Sequence, residues 1–351
     1  MPETTRYREI EVVGTPRVMG HQLGEAACED VQAFCEVALE RLQQTMQVNS
    51  DQAKSLAEQC LPFAKEYSLD SVEELQGVAE AANLPFWKIM LLQIRNQFTA
   101  APDSGCTSIS LPATSQRSAI VAQNWDNDPD LDPFTFILTR RPVGKPALIT
   151  LTQAGLISYI GFNEAGIGAC LNSLPAPSRS LGVPHYFTLR ELYETTNLDA
   201  AVHAIRRAQR AIPANIMLTT PEGPADLEVT IDDVQVLRPE ETSWITHTNH
   251  CQHPDLCGYN EQFPELIGSH PRKARIDELL NANAAEIGLE EIKAALSDHQ
   301  GHPRSICRHA NDDPDHGFWQ TVFSVIIEPG EQRMHVSRGT PCDSPYEIYQ
   351  L

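Results

Sequence analysis

The 351-residue sequence contains no run of 18 or more apolar residues, and its first residues, Met1-Pro2-Glu3-Thr4-Thr5-Arg6-Tyr7-Arg8, are charged where a secretion signal carries its apolar stretch. Neither feature suits a membrane-spanning or exported chain, and the expectation is a soluble cytoplasmic protein. Positive charge is also scarce. Lys and Arg total 26 against 47 Asp and Glu, for a formal charge of −21, which repels nucleic acid and anionic lipid over a Debye length. The same field favours a small cationic substrate, although acidity is equally an ordinary route to solubility. Low-complexity sequence, internal repeats, charge blocks and Ser/Gly linkers are missing, and the 19 Gly and 25 Pro are scattered. Nine Cys is an odd count, so a disulfide framework is not expected and at least one thiol is free. What is present is ample apolar material, 41% of residues. It is enough to bury the core of two domains or one large layered one.

The pattern changes character near residue 100. Before it, helical periodicity dominates: Val31, Phe34, Cys35, Ala38, Leu39 and Leu42 form one apolar stripe in a helix over 26–47. Residues 51–66 repeat the pattern, Asp70 and Glu73 have the spacing of a capping box opening a helix to Ala82, and Pro85 starts an apolar helix to Phe98. After Pro102-Asp103-Ser104-Gly105 come short strand-like runs at 107–111, 119–123, 134–139, 147–151, 157–162 and 167–171. Helices are expected at 186–194 and 198–209, strands at 216–218, 227–231 and 234–237, helices at 273–281 and 289–296, and closing strands at 321–328 and 333–337. Helix layers covering two packed sheets would bury such a pattern.

Cys106 follows a turn-like segment and precedes a strand, a position that suits either a buried structural thiol or one displayed at a strand start. Asp126 closes the next strand, where its carboxylate either returns beside Cys106 or accepts turn hydrogen bonds from the Asn127-Asp128-Pro129 segment. His247, His250, Cys251, His253 and Cys257 bring together metal-ligating residue types, but their spacing fits no standard zinc pattern. His21, His185 and His309 read as satisfied core or turn residues, and no metal or cofactor is expected.

An ordered set of motifs carries a resemblance over most of the chain. It comprises Met19-Gly20-His21-Gln22-Leu23-Gly24-Glu25, Gly105-Cys106-Thr107-Ser108, Gln123-Asn124-Trp125-Asp126, Gly161-Phe162-Asn163-Glu164-Ala165-Gly166-Ile167, Leu227-Glu228-Val229-Thr230, His247-Thr248-Asn249-His250-Cys251 and Ser305-Ile306-Cys307-Arg308. In this it resembles the penicillin-precursor (isopenicillin N) acyltransferase family of self-processing cysteine hydrolases, within the N-terminal-nucleophile superfamily. The resemblance implies an α+β fold, a four-layer αββα sandwich with a helical N-terminal segment, made as a precursor that cuts itself between Gly105 and Cys106. A helix-rich segment 1–105 and a segment 106–351 carrying the nucleophile would then stay associated in one domain. The freed α-amine, with an unperturbed pKa of about 7.7–8.0, can take the thiol proton, so nucleophile and base become one residue. By the same resemblance Asp126 orients that amine, the Asn249 side-chain amide and the Asn172 backbone N–H form the oxyanion hole, and Thr230 stands where the reference acyltransferase has a serine. One departure stands out. The family carries an Arg shortly before its Thr-Leu-Phe strand as partner of the active-site Asp, and His316-Gly317-Phe318-Trp319-Gln320-Thr321-Val322-Phe323 has none. Arg308 or His316 takes that place, or the pocket recognises something else.

The reading that leads is a hydrolase of a small linear amide acting through an acyl-Cys106 thioester, with transfer of the acyl group to an amine as the alternative. Two others compete: an uncut cysteine hydrolase pairing Cys106 with a distant His, and a non-catalytic relative that binds a ligand or zinc. A homo-oligomer is compatible with the sequence.

Overall fold

The computed structural model describes residues 4–97, 105–284, 287–313 and 317–351. His316 therefore lies outside the described residues. In chain order the elements begin with β1 (Glu9–Gly14) and five helices, α1 (Pro16–Ala26), α2 (Cys28–Met46), α3 (Ser50–Tyr67), α4 (Leu69–Ala81) and α5 (Phe86–Ile94). Six strands follow: β2 (Gly105–Leu111), β3 (Ile120–Asn127), β4 (Thr135–Pro142), β5 (Leu148–Gln153), β6 (Ile160–Asn163) and β7 (Gly168–Asn172). After α6 (His185–Leu192) and α7 (Leu198–Arg206) come β8 (Ala214–Thr220), β9 (Gly223–Val229), β10 (Val234–Leu237) and β11 (Ile245–His247). The chain ends with α8 (Ser269–Ala282), α9 (Leu289–Leu296), β12 (Gln320–Glu328), β13 (Arg333–Arg338) and β14 (Tyr346–Gln350).

Two sheets pack face to face. One has eight strands in the order β1-β4-β5-β6-β7-β8-β9-β10, antiparallel except for the β1–β4 edge; the other has six, β11-β2-β3-β12-β13-β14, antiparallel throughout. Strands β2 and β3 face β7 and β8 across the interior, while α8 and α9 cover the far side of the six-stranded sheet. There Ile276, Leu280, Ile292 and Leu296 meet Ile109, Ile120, Ala122 and Ile326 in a core of their own. The N-terminal helices cover the eight-stranded sheet, giving the expected αββα order. Being covered on both sides is why every residue of β2 is buried, and why its Thr and Ser side chains need internal partners.

The opening Gly20/Gly24 motif now has a physical basis. A Cβ on Gly20 would lie 1.9 Å from the Glu74 carbonyl oxygen, and one on Gly24 2.7 Å from that of Val78, so α1 and α4 touch backbone to backbone. Boundaries shifted where local chemistry overrode the apolar pattern. Helix α4 is capped by Ser68, whose Oγ accepts from the Ser71 N–H; Asp70 sits in the first turn instead of capping it. The expected helix over 26–47 breaks at Ala27, since Ala26 closes α1. Strands β1, β11 and β14 were not anticipated. They are edge or short strands whose pairing comes from distant segments. Among the described residues no helix is long and apolar enough to cross a membrane.

Candidate active site

Strand alternation sorts the candidate residues onto two faces of the six-stranded sheet. Gly105 pairs with Asp126 and Cys106 with Trp125 in the β2–β3 ladder, and residues directly opposite share a face. Cys106 and Trp125 therefore face the eight-stranded sheet, where Tyr159 and Cys170 lie close enough to couple electrostatically to the thiol. Gly105 and Asp126 face α8. A Cβ on Gly105 would sit 3.4 Å from Asp126 Oδ2 and 3.3 Å from Ile267, so the smallest residue is the one that fits.

The segment 245–249 and the start of α8 lock onto the head of β2. The Cys106 N–H donates to Asn249 Oδ1 at 2.8 Å. The Asn249 N–H donates to Ser269 Oγ at 2.8 Å, and its Nδ2 donates to the Ser173 carbonyl at 3.0 Å. The Asn172 side chain acts as a brace, donating to the carbonyls of Thr248 (2.7 Å) and His247 (3.2 Å) while accepting from Gln123 Nε2. His247 is held by the carboxylate of Glu228 at Nε2 and by its neighbour's carbonyl at Nδ1. Burial works against its charge, but Asp226, Glu228 and the Thr248 carbonyl together raise its pKa. It is a salt-bridged core residue.

The residue that sequence reasoning missed is Arg272. Fully buried on the first turns of α8, it donates through Nη1 to the Cys106 carbonyl (2.5 Å) and Thr107 Oγ1 (3.0 Å), through Nη2 to Asn249 Oδ1 (2.8 Å), and through Nε to the Ile267 carbonyl (3.0 Å). Entry to α8 passes through Ile267 and Gly268, with φ of 45° and 62°. A left-handed β-branched residue costs of order 1–3 kcal/mol, and here that turn aims Arg272 and Ser269 at the site. No sequence signal marked it, because the expected helix began one residue later.

Asp126 is the other buried charge. Its Oδ1 accepts from Thr321 Oγ1 at 2.7 Å, while Oδ2 has no hydrogen-bond partner among the described residues. Burial raises its pKa to about 7, against the pull of Arg272, the Thr321 hydroxyl and Arg308. Arg308, one of the two candidates for the missing partner, is buried within electrostatic reach of Asp126 and donates through Nε to the Trp319 carbonyl. Thr230 lies elsewhere in role: its hydroxyl accepts from the N–H groups of Asp232 and Asp233, closing the β9–β10 turn.

A cavity of about 590 Å³ is lined by Trp125, the ladder partner of Cys106, by Tyr159 and Asn172, by the apolar Phe34 and Leu131 and by Arg41; Cys106 itself is buried behind this wall and is not part of it. A volume of this order suits a small molecule.

Comparison with known proteins matches residues 113–343 to the acyl-coenzyme A:6-aminopenicillanic acid acyl-transferase family. The chain belongs to that family. Among curated relatives, the 40 kDa form of acyl-coenzyme A:6-aminopenicillanic-acid-acyltransferase from Emericella nidulans is 26% identical over 347 residues, covering 96% of this chain and 94% of that one. Among solved structures, a single-residue variant of conjugated bile acid hydrolase from Clostridium perfringens aligns with a TM-score of 0.49 at 12% identity, covering 70% of this chain and 97% of that one. Penicillin V acylase from Agrobacterium tumefaciens aligns with a TM-score of 0.46 at 12% identity, covering 70% and 86%. As a member of the acyl-transferase family this chain is an enzyme of amide chemistry.

Proposed function

We propose that this acyl-transferase family member cuts its own chain between Gly105 and Cys106 and then uses Cys106 to cleave a small linear amide. The observation that carries the reading is the grip on the backbone nitrogen of Cys106. Its N–H is held by Asn249 Oδ1, and that oxygen is held in turn by Arg272. An acceptor is what any buried N–H requires; what is added here is a side-chain acceptor itself tied to a buried guanidinium.

In the self-cleavage, Cys106 Sγ attacks the Gly105 carbonyl carbon, the peptide C–N bond breaks, and the departing nitrogen takes up the proton to become the Cys106 amine. Water then hydrolyses the thioester, leaving a Gly105 carboxylate and restoring the thiol. In turnover the amine takes the Sγ proton as the thiolate attacks the substrate carbonyl, and returns it to the leaving amine. Asp126, facing Gly105 from the α8 side, steadies the ammonium form. The oxyanion is assigned to Asn249 Nδ2 and the Asn172 N–H, with Nδ2 exchanging its Ser173 partner for the oxyanion; loss of one such donor typically costs about 2.7–4 kcal/mol of transition-state stabilisation. Thr230, bound into its turn, acts at a distance by shaping the β9–β10 edge. Arg308 takes the family arginine's place beside Asp126, and His316 is left as a candidate substrate contact.

Hydrolysis is the leading outcome for the acyl thioester. Transfer to an amine is the second reading, and the family to which the chain belongs favours keeping it. Mass spectrometry of purified protein tests the whole scheme. The expected result is two associated polypeptides, 1–105 and 106–351, and an acyl adduct on Cys106 after incubation with N-acyl amines. Cys106→Ala stays full length and inactive. An active enzyme with an intact 105–106 bond would overturn the proposal. Adding a second amine during turnover separates the two readings, since only transfer yields a new amide.

A further inference from the structure

Far from His247 in role, a second set of ligand-type side chains converges at the surface: His299, Cys307, His309 and Cys342, one donor atom from each, all within 4.8 Å of one another. We propose that these four residues form a structural zinc site, separate from the residues that carry the amide chemistry above.

Four of the six separations among these donor atoms are close to the edges of a zinc tetrahedron, and the remaining two, from His299 to the sulfurs, are within 4.8 Å. With Zn–S of about 2.3 Å and Zn–N of about 2.0–2.1 Å, ideal edges are about 3.8 Å between sulfurs, about 3.3 Å between nitrogens and about 3.5 Å between unlike atoms. The structure has Cys307 Sγ and Cys342 Sγ at 3.6 Å, His299 Nε2 and His309 Nε2 at 3.0 Å, and His309 Nε2 at 3.7 Å and 3.3 Å from the two sulfurs. A separation of 3.6 Å is far beyond the disulfide length of about 2.05 Å. Without an ion one imidazole can donate to the other at 3.0 Å; a bound zinc would replace that bond and the weak thiol contact with four metal–ligand bonds.

The surroundings are those a bound metal uses. His309 presents Nε2 to the cluster while its Nδ1 lies 4.0 Å from Asp343 Oδ2, too far for a hydrogen bond but near enough for the carboxylate to favour a cation there. The loop bearing Cys307 is fixed from below. The Cys307 N–H donates to the Asp298 carbonyl at 2.9 Å, and Arg275 of α8 holds the Asp298 carboxylate through Nε (3.1 Å) and Nη2 (2.7 Å). Binding would release one proton from each thiol, so that two thiolates and two neutral imidazoles balance the dication. Two thiolates and two imidazoles in a tetrahedron suit zinc, and four protein ligands leave no open position for catalysis. The consequence is mechanical. Zinc would clamp the loop after α9 to the β13–β14 turn and hold Arg308, which lies between two of the ligands, against the six-stranded sheet.

Elemental analysis of the full-length protein, purified without a metal-affinity column or added metal, tests this. The expected content is about one zinc per chain, lowered severalfold in Cys342→Ser and in His299→Ala, both exposed positions, and unchanged in Cys257→Ser. Chelator should lower the melting temperature of the parent and leave that of Cys342→Ser unmoved, and cobalt exchanged into the site should show the intense visible absorption of a tetrahedral thiolate complex. A protein that neither carries zinc nor takes it up on titration overturns the proposal. So does zinc that survives both substitutions, or a Cys307–Cys342 disulfide found in the purified chain.

Discussion

Glu74 and Asp126 are both fully buried carboxylates with two arginines at hand, and they are held in opposite ways. Each Glu74 oxygen receives a direct charge-assisted bond, Oε1 from Arg140 Nε at 2.7 Å and Oε2 from Arg190 Nη1 at 2.8 Å. Burial alone would raise its pKa, yet Arg190 and Arg140 hold it below the ordinary value. Asp126 has Arg272 and Arg308 nearby, but Arg272 spends its donors on carbonyl, hydroxyl and amide oxygens around Cys106. One hydroxyl bond and distant charge do not offset desolvation, so its pKa rises to about 7. Direct pairing, more than proximity, decides which buried acid stays ionised. The first arrangement ties α4 and α6 to the eight-stranded sheet. The second leaves a carboxyl oxygen open beside the residue whose bond is proposed to break.

The comparison can be broken most forcefully at Glu74. Glu74→Gln leaves the buried Arg140 without its counter-charge and Arg190 with Glu194 alone, and should cost about 3–5 kcal/mol in denaturant unfolding; a loss under about 1 kcal/mol would show that the cluster is worth no more than a surface pair.

The two acids should also respond to pH with opposite sign. Glu74, with a lowered folded pKa, gives stability that is present above the ordinary glutamate range and lost as pH falls through its folded value. Asp126 is raised from 3.8 to about 7, so between those values the native state holds a proton that the unfolded chain has released. Its effect is a loss of stability as pH rises through that window, at up to about 1.4 kcal/mol per pH unit. Measured in the uncut Cys106→Ala background, the added substitution Asp126→Asn should flatten that slope and raise stability above pH 7. A slope unchanged by Asp126→Asn would assign it to another group.

The smallest effect sharpens the same point. Thr321→Val removes the one direct bond to Asp126 Oδ1, and should cost about 1 kcal/mol while moving the Asp126 transition to higher pH. A shift downward would mean that the hydroxyl is accepting from a protonated carboxyl, with the roles of donor and acceptor reversed.

The layered fold was legible where periodicity is strong. The stripe of Val31, Phe34 and Ala38 and the alternation after residue 105 mark the helical layer and the sheets, because burial of one face leaves a regular imprint on the chain. Edge strands left a weaker imprint. Glu9–Gly14 alternates over only a few residues, and its partner β4 lies more than a hundred residues on. In the site, Cys106, Asp126 and Asn249 could be named through ordered motifs and Asn172 through the family resemblance alone, and the structure gathers them around the head of β2 and the segment 245–249. Arg272 could not. A buried arginine and an exposed one are the same letter, and only the left-handed turn at Ile267-Gly268 points this one inward.

What the chain determined by itself is therefore local and periodic: where helices and strands run, that a glycine precedes the thiol, and that a formal charge of −21 disfavours polyanionic partners. Which face of β2 the thiol occupies follows from strand register, and the register is set by pairing with β3. The convergence of His299, Cys307 and His309 with Cys342 depends on the β13–β14 turn docking against the loop after α9. Spacing along the chain carries no trace of that meeting, because the contact is made by packed layers and not by any one segment's own conformational preference.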